Sequence, residues 1–162
     1  MVDIYSKPAI LITLAFFTVV QVQAVLENVI QAPGVTVTGS NLVDDWADNP
    51  ISNTMDNDLQ SYYYLDSVVP GSTYVQFDLG STKAIRTVMI HDAYGVDDEA
   101  MIEIWVTDTD NAANDWSDTS ERCYSGGRYG VMPCDGTGQY LIVKATDYNN
   151  WELDEVMAFA EE

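Results

Sequence analysis

Basic residues are scarce in this chain. Six Lys and Arg stand against 26 Asp and Glu, a formal net charge of −20 over 162 residues. Such a chain repels a phosphate backbone or an anionic lipid headgroup, which argues against nucleic acid as a partner. Histidine is scarcer still, with His91 alone, and the only cysteines are Cys123 and Cys134. Without C-x-x-C spacing or further histidines, a Cys/His zinc site is not expected. Catalytic signatures are missing too: there is no G-x-S-x-G elbow, phosphate-cradling glycine loop or His-rich cluster. Carboxylate pairs abound, but at this acid content they arise by chance, so a non-catalytic role is expected.

What is present supports a packed domain. At 47% hydrophobic and 20% charged residues, the chain is long enough to bury one proper core. The acids are scattered rather than gathered into a tail. That surface suits divalent cations or a salty medium, and equally a solvated coat kept for solubility. In the Gly-rich stretch CYSGGRYGVMPC, a loop-stapling Cys123–Cys134 disulfide is favoured over two buried thiols, and it implies an oxidising compartment.

The first segment, MVDIYSKPAILITLAFFTVVQVQA, carries an apolar run from Ala9 to Val20 and closes on Val22-Gln23-Ala24. It reads as a secretory signal peptide or as a retained hydrophobic helix. The retained helix, the reading adopted, would run from about Pro8 to Gln31, with Ala32-Pro33-Gly34 stopping it. Its length of about 24 residues, roughly 36 Å, is enough to cross a bilayer. Residues 1–34 are therefore set apart as an anchor or assembly helix, and residues 35–162 as the folded domain.

After Gly34 the periodicity shifts to two. VTVT (35–38), YVQFDL (74–79), AIRTVMIH (84–91), MIEIWV (101–106), QYLIVKA (139–145) and EVMAFA (155–160) favour strands. The tyrosines Tyr62, Tyr63 and Tyr64 lead into another, with Tyr63 expected on one face and its neighbours on the other. Turn formers punctuate these runs at Pro70-Gly71, Gly80-Ser81, Gly126-Gly127 and Asp135-Gly136. The expected fold is mainly β, an antiparallel β-sandwich preceded by one N-terminal hydrophobic α-helix.

NTMDNDLQS, TYVQFDLGSTKAIRTVMI and GQYLIVKATDYNNWELDEVMAFA, in that order, resemble the discoidin-type, galactose-binding-like jelly rolls. That superfamily includes the coagulation-factor C-type domains and the fucose-binding lectins. The DLG-x-x-x-x-I-x-x-V segment carries the resemblance most strongly, and CDGTGQYLIV is similar to the lectin branch. The resemblance covers about residues 35–160 and implies a jelly roll.

It also gives a meaning to NTMDNDLQSYYYL (53–65). Asp56, Asp58 and Ser61 supply oxygens at short offsets, as a hard cation such as Ca²⁺ requires, and Asn57 tolerates the turn between them. On spacing alone, an Asx-turn network without metal explains the stretch equally well. The resemblance implies calcium, held by a loop of this form and a Glu near the C-terminus. By matching positions Asn53, Asp56, Asp58 and Ser61 would be joined by Glu155 and the Asp154 carbonyl. The family usually has Cys before that Glu, where this chain has Asp154.

Ligands of the superfamily sit on loops at one end of the sandwich, here HDAYGVDDE (91–99) and TDYNNWE (146–152). Asp92, Tyr94, Tyr148, Asn150 and Trp151 are the candidates, aromatic faces stacking on sugar C–H surfaces and polar groups meeting hydroxyls. The same residues also suit ordinary loops or subunit contacts. The fucose-binding lectins use a His and two Arg in an N-R-x-D-like context, whereas HDAYG has no Arg, which argues against that mode.

Two functions follow. One is a surface-exposed, calcium-supported module for glycan or surface-protein ligands, tethered to a membrane by its N-terminal helix. The other is a self-assembling structural subunit of a virion coat or pilus-like filament. Both place the domain outside the cytoplasm, on a cell or virion surface.

Overall fold

The period-two runs become strands. In a computed structural model, which describes residues 25–40, 49–65, 68–91, 101–110, 119–127, 130–147 and 151–161, these described residues form nine. They are β1 (Leu26–Asn28), β2 (Thr36–Gly39), β3 (Tyr63–Leu65), β4 (Tyr74–His91), β5 (Met101–Thr107), β6 (Arg122–Gly127), β7 (Gly130–Ala145), β8 (Trp151–Leu153) and β9 (Glu155–Glu161). Short 3-10 turns cover Val29–Gln31, Ile51–Met55 and Thr119–Glu121, and no α-helix occurs among the described residues. All pairings are antiparallel. One seven-stranded sheet runs β1-β9-β4-β7-β5-β6 with β2 also on β4, and β3 pairs with β8 in a small second sheet.

The long strand β4 serves two sets of neighbours. Its first half, Tyr74–Asp78, lies between β2 and the Tyr140–Lys144 end of β7. Its second half, Lys83–Ile90, pairs with the Gly130–Gly138 end of β7, and from Ile85 onward also with β9. Between the halves Gly80 adopts φ +73, a left-handed conformation cheap only for glycine, while its N–H donates to Asp78 Oδ1 at 2.8 Å.

A bulge then resets the side-chain phase. Val75, Phe77 and Leu79 point into the core, and so do Ile85, Val88 and Ile90. Strict alternation from Ile85 would have turned Val88 outward. Against β9, Ile85 faces Ala160 and Thr87 faces Phe159, so Arg86 is the extra residue. Its guanidinium ties the flanking strands together by pairing with Asp135 on β7 and with Glu161 on β9, the latter at 2.9 Å.

The apolar core draws on β4, β5, β7 and β9, with Phe77, Ile85, Ile102, Ile104, Leu141 and Val143 fully buried. On a second face, Tyr74, Trp105 and Ile142 pack together, partly under Tyr140. Lys144 and Arg122 lie 5.6 and 6.0 Å from the Trp105 ring, and Glu103 accepts from both at 3.2 and 2.5 Å. Burial pushes the Glu103 carboxyl up, but the bonds from Arg122 and Lys144 outweigh it and hold the group below the usual range.

Two expectations change. Residues 25–31 are not the end of an α-helix. Leu26–Asn28 pair with Glu161–Phe159 as an edge strand, and Val29–Gln31 form a single 3-10 turn. The Asn28 carboxamide oxygen accepts from Ile30 N–H and Ala158 N–H, and Val29 and Ile30 are buried in the core. Tertiary pairing with β9 thus overrides the helical pattern, and the sheet begins upstream of residue 35. Residues 1–24 lie outside the described residues. The Gly-rich stretch around the cysteines, expected as a loop, supplies β6 and the first half of β7. Gly138 fits there because a Cβ would stand 2.5 Å from the Thr107 backbone.

Cys123 and Cys134 are bonded, joining β6 to β7 across a sequence separation of 11. A loop of this size contributes about 3 kcal/mol in the chain-entropy account. A Cys123→Ser/Cys134→Ser variant should unfold at lower urea with a loss of that order. Urea midpoints unchanged by the double substitution would contradict the staple.

Candidate functional site

The loop leading into β3 is built by its own acids. Thr54, fully buried, closes the Ile51–Met55 turn by donating to Ile51 O at 2.7 Å. Asn57 follows at φ +63, a conformation Asn tolerates better than most residues. Asp56 Oδ1 accepts from Asp58 N–H at 2.9 Å, and Asp58 Oδ1 accepts from Gln60 N–H at 3.0 Å. Ser61 Oγ donates to the Asp56 carboxylate at 2.8 to 2.9 Å. Asn53 Nδ2 closes the loop base on Tyr62 O at 3.0 Å.

Glu155, the first residue of β9, reaches this loop from the other end of the chain. Its side chain is 1% exposed. Oε2 accepts from Asn57 N–H at 3.0 Å, and Oε1 accepts from the Gln31 carboxamide at 3.3 Å. Burial pushes its carboxyl up and the nearby Asp56 charge adds to this; the two hydrogen bonds and His91 pull the other way without winning. The neighbouring Asp154 turns elsewhere. Its N–H donates to His91 O at 3.1 Å and its carboxylate lies 3.2 Å from His91 Nδ1.

The expected cation set is thus brought together in part. Asp56, Asp58 and Ser61 share one loop, Asn53 closes it, Glu155 locks onto its turn, and the Asp154 carboxylate faces His91. The donors are all oxygens, which suits a hard cation. Among the described residues, however, no three His, Cys, Asp or Glu side chains gather around one point. Asp56 and Asp58 are engaged in the Asx turns that the sequence also allowed.

The candidate ligand loops leave the sheet beside this region. β4 ends at His91 and β5 starts at Met101, whose N–H donates to Asp147 Oδ2 at 2.6 Å and whose carbonyl accepts from Thr146 N–H at 3.0 Å. Strand ends are therefore clamped where both loops depart. Asp92, Tyr94, Tyr148 and Asn150 lie outside the described residues. Trp151 opens β8 opposite Leu65 rather than belonging to a loop, and its side chain is likewise outside them. Sequence reasoning missed the roles of His91, Asp147 and Gln31. An isolated His at a strand end and an Asp just after one were signals for the first two; Gln31 had none.

With this geometry in view, the chain can be set beside known proteins. No protein-family model and no curated protein sequence matches it. Solved structures do. An F-lectin (fucolectin) from striped bass serum superimposes with a TM-score of 0.64 at 19% identity, covering 84% of this chain and 48% of that one. The chain shares the jelly-roll fold of that lectin. A chitosan-binding module from a Paenibacillus sp. IK-5 chitosanase/glucanase gives a TM-score of 0.60 at 17% identity, covering 82% and 98%. The CBM32 module of AlyQ, solved with 4,5-unsaturated mannuronic acid, gives 0.56 at 20% identity, covering 76% and 93%. The chain thus spans about half of the bass lectin but nearly the whole of each binding module.

Tyr63, as expected, faces inward while Tyr62 and Tyr64 are half-buried. Its hydroxyl is buried without a hydrogen-bond partner among the described residues, and burial pushes the phenol from 10.0 up to about 12. Between those values the folded state keeps a proton that the unfolded state has released, so stability falls as pH rises through that window. Tyr63→Phe should remove this component, on the order of 2 kcal/mol across the window, and cost nothing at neutral pH. Urea unfolding from pH 8 to 11 checks it; parallel pH slopes for both proteins would contradict the burial argument.

Proposed function

We propose that this chain is a non-catalytic glycan-binding module, presented outside the cytoplasm. The observation that carries the reading is the likeness to carbohydrate-binding modules of larger enzymes, over nearly the whole length of each module. The clamped strand ends at His91, Met101 and Asp147 add a rigid base from which ligand loops can project. Asp92, Tyr94, Tyr148, Asn150 and Trp151 are the side chains proposed to meet the sugar.

Calcium belongs to the same proposal. Asp56, Asp58 and Glu155 would hold it, with Asn53, Ser61 and the Asp154 carbonyl completing an oxygen shell. A cation there would neutralise part of an acidic loop and strengthen its tie to β9. The apolar run from Ala9 to Val20 is proposed to tether the domain to a membrane. Recovery in carbonate-washed membranes supports the tether, and release of the whole protein into the soluble fraction would sink it.

A glycan array probed with the full chain should give saturable binding to a defined saccharide set, lost in Trp151→Ala. An array with no hit at any concentration tested would sink the glycan reading. Chelation should lower the melting temperature, the stabilisation being about 2.7 kcal/mol at free Ca²⁺ one hundred times its dissociation constant. Asp58→Ala should abolish that dependence; identical melting with and without chelator would remove calcium from the account.

A further inference from the structure

A cavity of about 180 Å³ lies far from the loop end. Met101 starts β5 at the loops, while Val106, on the cavity wall, is five residues further, roughly 17 Å along the strand. The wall combines Val106 and the disulfide-bonded Cys123 with Glu121, Thr137 and Gly136. Gly136 forms its close side: a Cβ there would stand 2.8 Å from the Val106 Cβ, so β7 passes tightly over β5.

The lining charges are unequally engaged. Arg122 is held by Glu103 at 2.5 Å, and Asp135 is paired with Arg86. The Glu121 carboxylate and the Thr137 hydroxyl point to no partner among the described residues. Two acceptor oxygens and a hydroxyl beside a small apolar wall match the two sides of a sugar ring, hydroxyls on one and C–H bonds on the other. The volume equals about six waters' share of the liquid and falls below the roughly 300 Å³ of drug-sized sites, so it holds one ring rather than a chain. Of the charges that line it, Glu121 and Asp135 outnumber Arg122, which disfavours an anionic sugar.

We infer that this cavity is a second saccharide pocket, taking one neutral or amine-bearing ring at the end of the domain opposite the loops. It rests on the glycan-binding reading but on different residues. A single shallow ring site should bind at millimolar strength. Paired with the loop end it would let one domain engage two glycan segments.

Amide shifts of the isotope-labelled full chain, titrated with galactose, glucosamine and glucuronate, test it. Galactose and glucosamine should move Cys123, Gly136 and Thr137, and Glu121→Gln/Thr137→Val should weaken that response at least fivefold with melting unchanged. Shifts confined to His91, Met101 and Asp147 would overturn the cavity and leave the functional reading standing. Glucuronate binding in the cavity as tightly as galactose would overturn its charge selectivity. Shifts at neither end, with an array also blank, would count against both.

Discussion

The antiparallel ladder between β4 and β7 is the interaction on which the rest of the domain depends. It runs from Tyr74 opposite Lys144 to Ile90 opposite Gly130, and three other strands of the main sheet pair with it directly: β2 and β9 on β4, β5 on β7. A flat ladder of that length would not enclose a core. This one breaks register twice, between Asp78 and Lys83 and between Ile85 and Thr87. The first break turns the strand, and the second restores inward phase for Val88 and Ile90. Both interruptions serve one requirement, keeping apolar side chains on the concave side of a bent sheet.

The same ladder explains how the two ends of the domain differ. At one end it delivers His91 next to Asp154, and through β9 it brings Glu155 under Asn57. A buried carboxylate is costly unless donors meet it. Here a backbone N–H and a carboxamide do so, and their reward is a loop of acids fixed to the sheet without help from any Lys or Arg among the described residues. At the other end the ladder passes over β5 at Gly136 and Gly138, and the disulfide draws β6 against it. Scarce cations are spent where strands need joining: Arg86 across the bulge, Arg122 and Lys144 around Glu103 and Trp105.

Much of this was legible in the sequence because period-two alternation is local. The runs at 74–79, 84–91, 101–106, 139–145 and 155–160 lie in strands, as does 35–38 from Thr36 onward, and the DLG turn separates the halves of β4 as its glycine implied. What was hidden depends on distant partners. Leu26–Asn28 looked helical because nothing nearby in sequence says that β9 will pair with it. β6 and the first half of β7 looked like a Gly-rich loop because Gly136 and Gly138 answer to Val106 and Thr107 across the fold. The acidic loop stood out by its spacing, whereas the Glu155 that reaches it was implied only by the resemblance to the jelly-roll family. That Gln31 would share Glu155 was not, since an exposed amide carries no positional signal.

Native-state hydrogen exchange on the ladder tests the account most directly. If the bent ladder is one cooperative unit, amides at Phe77 and Leu141 in one half and at Val88 and Met132 in the other should exchange only by global unfolding. They should then share one free energy and one denaturant dependence. Two separate free energies, with either half opening while the other stays protected, would contradict the claim that a single ladder holds the domain and positions both its ends.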